Sequence, residues 1–119
     1  IWDRYNNAFA DLPVDLPVAD EPDTVHARHL YTLMIDPQRC GLTRDDFALK
    51  MHQRNIGTGV HYVGAHLQPY YRERFRYRAE DFPSATWISE RTVSIPLSAA
   101  LSNKDVEDVI DAVVSVLAE

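Results

Sequence analysis

The chain has 119 residues, 45% hydrophobic and 25% charged, an ordinary globular composition that excludes disordered, collagen-like and coiled-coil chains. Twelve Lys and Arg against eighteen Asp and Glu give a net charge of −6, which disfavours nucleic acid and anionic membranes as partners, because both attract a basic face. No apolar run approaches the roughly 20 residues that span a bilayer, and no secretory leader is visible. The single Cys40 cannot form an internal disulfide, so a cytoplasmic location is expected.

Hydrophobic periodicity predicts a mixture of helices and strands. The chain begins with Ile1 and Trp2 rather than Met, so we expect residues 1–119 to be one domain of a longer polypeptide. The predicted elements, in chain order, are a helix over 1–11, a proline-broken connector with a short extended piece at 14–16, a strand over 26–35, a helix over 43–54, a strand over 56–63, an irregular aromatic segment over 64–83, a short helix over 87–91, a strand over 92–97 and a helix after residue 102.

Capping residues support two of these helices. Thr43 with Asp46, and Ser102 with Asp105, have the spacing of capping boxes, and Asn55 can end the first helix in the left-handed conformation. The last helix has an apolar stripe that must pack on a core, because its β-branched residues form helix poorly alone. Strands mixed with helices over this length predict an α/β or α+β layer with about three strands and helices on one face.

The stretch that is richest in polar and aromatic side chains is 57–71. Two imidazoles, an amide and three phenols lie within eleven residues, and these groups donate and accept hydrogen bonds near neutral pH. On a loop, His61, His66 and Gln68 would bond the hydroxyls or phosphates of a polar ligand such as a sugar, while a Tyr ring stacks on it. The alternative is a surface loop whose aromatic rings hold it onto the core, and composition leaves both open.

Metal binding and nucleophilic catalysis have weaker support. The pairs His26-x-x-His29 and His61-x4-His66 lack the three or four convergent ligands of a transition-metal site, so no metal is expected. Cys40 lies in a turn without a sequence feature of an activated thiol. We therefore expect no catalytic residue of these kinds.

The basic run from Arg72 to Arg78 has aromatic residues interleaved. Such a run also occurs in nucleic-acid-binding proteins, but the acidic chain as a whole argues against that partner. It is then either a solvated segment or a clamp for one phosphate or carboxylate of a ligand or a neighbouring subunit. The only lysines, Lys50 and Lys104, fall on the predicted outer sides of helices, where lysine is normally solvated.

The run from Ile56 to Tyr62 (Ile-Gly-Thr-Gly-Val-His-Tyr), followed by His66 to Arg72 (His-Leu-Gln-Pro-Tyr-Tyr-Arg), resembles the C-terminal domain of the DegT/StrS-type sugar aminotransferases. The resemblance covers nearly the whole chain. It extends to His29-Leu30-Tyr31, Thr43-Arg44-Asp45, the run from Glu90 to Leu97, and the run from Ser102 to Val106. Within the family the chain is most similar to the 4-amino-4-deoxyarabinose branch, because Gly-Thr-Gly precedes the His-Tyr pair and Tyr-Arg-Glu-Arg-Phe follows it.

The resemblance implies the small C-terminal domain of a fold-type-I enzyme that uses pyridoxal 5'-phosphate. Such enzymes move an amino group from glutamate to a nucleotide-linked keto sugar and act as homodimers with active sites at the subunit interface. A lysine of the larger N-terminal domain holds the cofactor, and the small domain closes over the site. On this basis the substrate-binding residues are His61, Tyr62, His66, Gln68 and Tyr70.

The chain departs from the family pattern in two places. Neither Lys50 nor Lys104 lies in the Ser-x-His-x-x-Lys setting of the family's Schiff-base lysine, so the chain alone is not expected to transaminate. Gly64 replaces a proline that is common in many members, which bears on the position of His66. Two alternatives remain: a non-catalytic regulatory or sugar-nucleotide-sensing module of the same family, and a freestanding small protein that dimerises through its aromatic loop.

Overall fold

A computed structural model describes residues 1–119. Helices and strands follow in the order α1 (Trp2–Phe9), β1 (Tyr31–Met34), α2 (Pro37–Cys40), α3 (Arg44–Gln53), α4 (Pro69–Phe75), α5 (Pro83–Arg91), β2 (Thr92–Ile95) and α6 (Asn103–Leu117), with 3₁₀ turns at Ala65–Leu67 and Ala79–Asp81. This mixture confirms the predicted α/β or α+β class. None of the helices combines the length and apolar character needed to cross a bilayer.

The sheet has two antiparallel strands, with Tyr31 opposite Ile95 and Leu33 opposite Val93. The prediction of three strands was wrong, because residues 56–63 pair at one position only. There Gly59 exchanges backbone hydrogen bonds of 3.0 and 2.7 Å with Ser94 on the free edge of β2. Since glycine has no side chain to form cross-strand pairs, this segment supports a single bridge and not a strand.

The other predicted strands are shorter than expected. Residues 26–30 are outside β1, because no neighbouring strand bonds them. The extended piece expected at 14–16 is confirmed as a bridge between Asp15 and Met34.

The core contains sixteen buried apolar residues, drawn mainly from α1, α3, α6 and the sheet. The rings of Tyr5 and Tyr31 meet edge to face, with centroids 5.0 Å apart. The Tyr5 hydroxyl donates to the Pro96 carbonyl at 2.8 Å, and the Tyr31 hydroxyl donates to Asn6 Oδ1 at 2.7 Å. Burial raises the pKa of both phenols to about 12. Both phenols are therefore neutral groups at physiological pH.

Both predicted capping boxes are confirmed. Thr43 accepts from the Asp46 backbone and Ser102 from the Asp105 backbone, while each aspartate accepts from its cap residue in return. These hydrogen bonds lower the pKa of both aspartates. Asn55, with φ 61°, takes the predicted left-handed conformation after α3.

Residues 64–83 were wrongly predicted to be irregular. α4 begins at Pro69 and α5 at Pro83, the first helical position, where proline's missing N–H has no partner to lose. α5 therefore starts four residues before the predicted 87–91 helix. The apolar side chains of α4 do not face the core of this chain, and none of its residues is buried. We call residues 57–88 the aromatic arm.

Candidate functional site

The loop after the Gly59 bridge carries His61 and Tyr62. Nδ1 of His61 lies 2.9 Å from the Ser94 hydroxyl on β2, while its Nε2 has no hydrogen-bond partner within the chain. The Tyr62 ring meets the His61 ring edge to face, with centroids 4.9 Å apart, and is 73% exposed. The half-buried His61 thus has one unpaired ring nitrogen next to the exposed phenol of Tyr62.

His66 lies beneath the loop and is only 6% exposed. Its Nε2 is 2.8 Å from the Thr86 hydroxyl, which donates its own hydrogen to the Ala79 carbonyl at 2.8 Å. Because that hydrogen is already used, Thr86 accepts from His66, which fixes the Nε2–H tautomer. His66 is therefore held within the arm, and its ring also lies 5.0 Å from the Phe82 ring.

Gly59 and Gly64 each lie directly under one of these imidazoles. A Cβ at Gly59 would lie 2.7 Å from Cε1 of His61, and a Cβ at Gly64 would lie 2.6 Å from Cε1 of His66. The Gly64 N–H donates to the Ser89 hydroxyl at 2.8 Å. Glycine at position 64 therefore gives His66 room and anchors the loop, whereas proline would have neither the N–H nor the space.

Three hydroxyl groups that the sequence reading did not identify hold the loop. Ser94 bonds His61, Ser89 bonds Gly64 and Thr86 bonds His66. Thr86 and Ser89 are three residues apart on α5 and so share one helix face. The three-residue spacing of Thr86 and Ser89, close to a histidine-rich segment, is the sequence signal that could have identified these two hydroxyl groups. Their partners lie 20 to 33 residues away along the chain, a separation that no local pattern reports.

Gln68 and Tyr70 lie at the start of α4. Gln68 is the N-cap residue, and its side chain is exposed and makes no capping bond. Tyr70 is 64% exposed and meets the rings of Tyr71 and Phe75 edge to face. The structure thus pairs His61 with Tyr62 and sets Gln68 near Tyr70, with the turn that contains His66 between the two pairs.

The remaining candidate groups are engaged elsewhere. The Cys40 thiol donates to the Pro13 carbonyl at 3.0 Å, and burial raises its pKa. Nδ1 of His26 accepts from the Arg28 backbone, and its ring packs on Trp2. No three His, Cys, Asp or Glu side chains converge in a group that could hold a metal ion.

A family profile described as the DegT/DnrJ/EryC1/StrS aminotransferase family matches residues 1–114. The chain belongs to this family. It is 43% identical over 112 residues to the Bacillus subtilis spore coat polysaccharide biosynthesis protein SpsC, which covers 92% of the chain and 28% of SpsC. The proposed 4-amino-4-deoxyarabinose branch stays a prediction.

Solved structures of the family share the fold. DesV of S. venezuelae, solved in complex with a ketimine intermediate, superposes with a TM-score of 0.83 at 29% identity over 99% of the chain and 30% of DesV. Spr1654 of Streptococcus pneumoniae, in a PMP form, has a TM-score of 0.83 at 22% identity, covering 98% of the chain and 29% of that protein. The chain thus spans less than a third of the length of these relatives.

The family resemblance implies a Schiff-base lysine for the cofactor, and the only lysines of this chain are Lys50 and Lys104. Lys50 is ion-paired with Glu119, and Lys104 with Asp108 at 2.8 Å. Both lysines lie on helices outside the arm that carries His61 and His66. These residues do not fit a Schiff-base site.

Proposed function

We propose that residues 1–119 form the small C-terminal domain of a cytoplasmic, homodimeric sugar aminotransferase and close over its substrate. The substrate is a nucleotide-linked keto sugar, and glutamate supplies the amino group. Pyridoxal 5'-phosphate supplies the electron-sink chemistry when it is bound, through a lysine outside this chain. The observation that carries the proposal is the half-buried His61 with an unpaired Nε2, in ring contact with the exposed Tyr62, within a chain of this family.

His61 is the best-prepared sugar contact of the loop. With Nδ1 engaged by Ser94 and Gly59 directly beneath the ring, the imidazole is held in one orientation and its Nε2 is unpaired. A neutral imidazole donates through one nitrogen and accepts through the other, so Nε2 can bond a sugar hydroxyl in either tautomer. Tyr62 beside it offers a ring face and a phenol, the combination that stacks on and bonds to a sugar.

Gln68 and Tyr70 extend the proposed contact surface. The Gln68 amide is free to donate and accept, and Tyr70 presents its ring to solvent. His66 stays in the proposed set, but its burial means that it acts from beneath the loop. Its bond to Thr86 fixes the turn between the His61–Tyr62 pair and the Gln68–Tyr70 pair.

The alternative is a regulatory or sugar-nucleotide-sensing module of the same family. The lack of a Schiff-base lysine among residues 1–119 fits this module, and it fits equally well a catalytic lysine that lies outside this chain. Both functions use the same sugar contacts, but only the aminotransferase converts the sugar to product.

The test uses the full-length protein that contains this chain, loaded with pyridoxal 5'-phosphate. Glutamate alone should shift the cofactor absorbance to that of the pyridoxamine form, and a nucleotide-linked keto sugar should reverse the shift. A shift with glutamate that the sugar fails to reverse would contradict the substrate. Sugar-nucleotide binding without any glutamate-dependent shift would favour the sensing module.

The loop is tested separately with His61→Ala. Loss of the Nε2 contact should lower kcat/KM for the sugar at least tenfold while the shift with glutamate is unchanged. His52→Ala is the matched control, since His52 is an exposed histidine on α3 with no hydrogen bond to the loop. Equal kinetics of the two variants would remove His61 from the site.

A further inference from the structure

The arginines of the chain differ in whether they are neutralised. Of the twelve Lys and Arg side chains, nine lie within ion-pair distance of a carboxylate. The three without such a partner are Arg72, Arg74 and Arg76, all on or directly after α4. In a chain of net charge −6, three unpaired guanidinium groups on one short segment form a local basic patch that is available to an anion from outside the chain.

Two of the three unpaired arginines line one surface cleft. Arg72 and Arg76 lie four residues apart, and Arg78, Tyr77, Pro69 and Glu73 complete the cleft wall. The third, Arg74, lies outside it, with its guanidinium 5.8 Å from the centre of the Phe75 ring. Only part of the basic run therefore faces a common concave surface.

The aromatic rings behind the cleft give it a fixed wall. Tyr77 is half-buried, stacked on Phe75 with ring centroids 5.4 Å apart and in edge contact with Phe82 at 5.0 Å. Phe82 in turn lies 5.0 Å from the ring of His66. The cleft wall is thus two ring contacts away from the loop that carries the proposed sugar contacts.

The charge of the cleft matches one class of ligand. Three arginines and one glutamate leave a net charge of +2, with Arg78 weakly held by Glu80 at 3.6 Å. A diphosphate diester, the group that joins nucleotide and sugar in a nucleotide-linked sugar, carries two negative charges. The planar guanidinium fork bonds phosphate oxygens two at a time, which a lysine ammonium cannot do.

We propose that this cleft binds the diphosphate of the substrate, with Arg72 and Arg76 donating to its oxygens. The inference rests on the proposed function, because it is that function which brings a nucleotide-linked sugar to the neighbouring loop. It adds a second contact surface: the loop binds the sugar, and the arginine cleft binds the charged link to the nucleotide.

The test measures binding of inorganic pyrophosphate and of uridine diphosphate to the full-length protein by calorimetry. In the Arg72→Gln/Arg76→Gln variant both ligands should bind at least tenfold more weakly, whereas Glu73→Gln should tighten binding. Arg74→Gln is the matched control, since it removes an unpaired arginine of the same helix that does not line the cleft. It should change affinity less than twofold. Thermal melting of each variant checks that it remains folded.

Several results would overturn the inference. Unchanged affinity in the double variant would remove the cleft from ligand binding, and an equal loss in Arg74→Gln would reduce the effect to the general field of the basic run. A double variant that binds both ligands normally but sediments as a different oligomer would assign these arginines to a neighbouring subunit.

Failure of this inference and failure of the proposed function give different results. Turnover of the keto sugar with unchanged KM in the double variant would contradict only the cleft. Arginine-dependent pyrophosphate binding in a protein that shows no glutamate-dependent shift would support the cleft and contradict only the aminotransferase.

Discussion

The core and the aromatic arm use the same kinds of side chain for different purposes. In the core, Tyr5, Phe9 and Tyr31 are fully buried and in ring contact with one another, and the phenols bond to groups of the chain itself. In the arm, Tyr70 and Phe75 are also in ring contact but stay 64% and 49% exposed. Ring contact alone thus does not distinguish structural from available aromatic residues, whereas burial does.

The charged residues repeat this contrast. At the helix starts next to the core, Asp46 and Asp105 complete capping boxes, and Lys104 pairs with Asp108 within α6. In the arm, Arg72 and Arg76 have no carboxylate partner. The core satisfies its own polar groups, while the arm leaves polar and aromatic groups available to a ligand or to another part of the protein.

The largest expected difference between the core and the arm is in the free energy of unfolding that is lost when a phenylalanine is truncated to alanine. Phe9→Ala should lower the free energy of unfolding of the chain by about 3–5 kcal/mol, because it leaves a cavity in the core. Phe75→Ala, the same change at a half-exposed site in the arm, should cost less than about 1 kcal/mol. Urea unfolding followed by circular dichroism measures both, and equal losses would erase the distinction.

Alkaline pH should destabilise the core specifically. Because burial raises the pKa of Tyr5 and Tyr31 from 10.0 to about 12, folding holds both phenols protonated where the unfolded chain releases the protons. Their stabilisation is complete below pH 10 and is lost as pH rises towards 12, on the order of 2 kcal/mol for each phenol. Urea midpoints at pH 8, 10 and 11.5 should fall, and Tyr5→Phe should flatten the decline. A midpoint that is independent of pH over this range would contradict the assignment.

The glycines of the loop allow a sharper test within the arm. Gly64→Ala places a Cβ 2.6 Å from the buried His66 ring and should cost about 1–3 kcal/mol of unfolding free energy. Gly57→Ala is the control, since a Cβ there meets nothing within 4 Å. Thermal melting compares the two, and the His66 resonances in NMR spectra should shift only in the first. Tolerance of alanine at position 64 would mean that His66 is not held as described.

The smallest expected effect concerns the helix cap next to the core. Ser102→Ala removes the hydroxyl that accepts from the Asp105 backbone and should cost about 1 kcal/mol. The hydrogen bonds from Ser102 lower the pKa of Asp105, so this stabilisation is present above the ordinary pKa of 3.8 and is lost as pH falls below it. The difference between wild type and Ser102→Ala should therefore shrink in acid. A constant difference from pH 7 to pH 2 would contradict the effect of the Ser102 hydroxyl on the pKa of the Asp105 carboxylate.

The parts of the fold that could be predicted from sequence have local signals. Thr43 and Ser102 cap helices through residues three positions away, and the stripe of α6 repeats at helical spacing over four turns. Both depend on neighbours within one element. The parts that were missed depend on neighbours far along the chain. An example is the predicted strand over 56–63, which forms only one bridge, from Gly59 to Ser94.

The candidate site also has one part that the sequence predicts and one part that depends on residues far along the chain. Composition alone indicates that residues 57–71 are chemically unusual, and the half-buried His61 beside the exposed Tyr62 agrees with that indication. Whether an imidazole is outward or buried depends on distant hydroxyls: Ser94 leaves Nε2 of His61 free, whereas Thr86 binds Nε2 of His66. The helix α4 was missed because its apolar side chains face away from this chain's core, so the amphipathic pattern that identifies a helix is absent.

Hydrogen–deuterium exchange of the full-length protein with and without a nucleotide-linked sugar tests the central claim most directly. If the arm is the part of this chain that meets the substrate, the backbone amides of residues 57–78 should gain protection at saturating ligand, while those of α6 should remain as they were. Unchanged exchange over residues 57–78, with ligand demonstrably bound, would contradict the account.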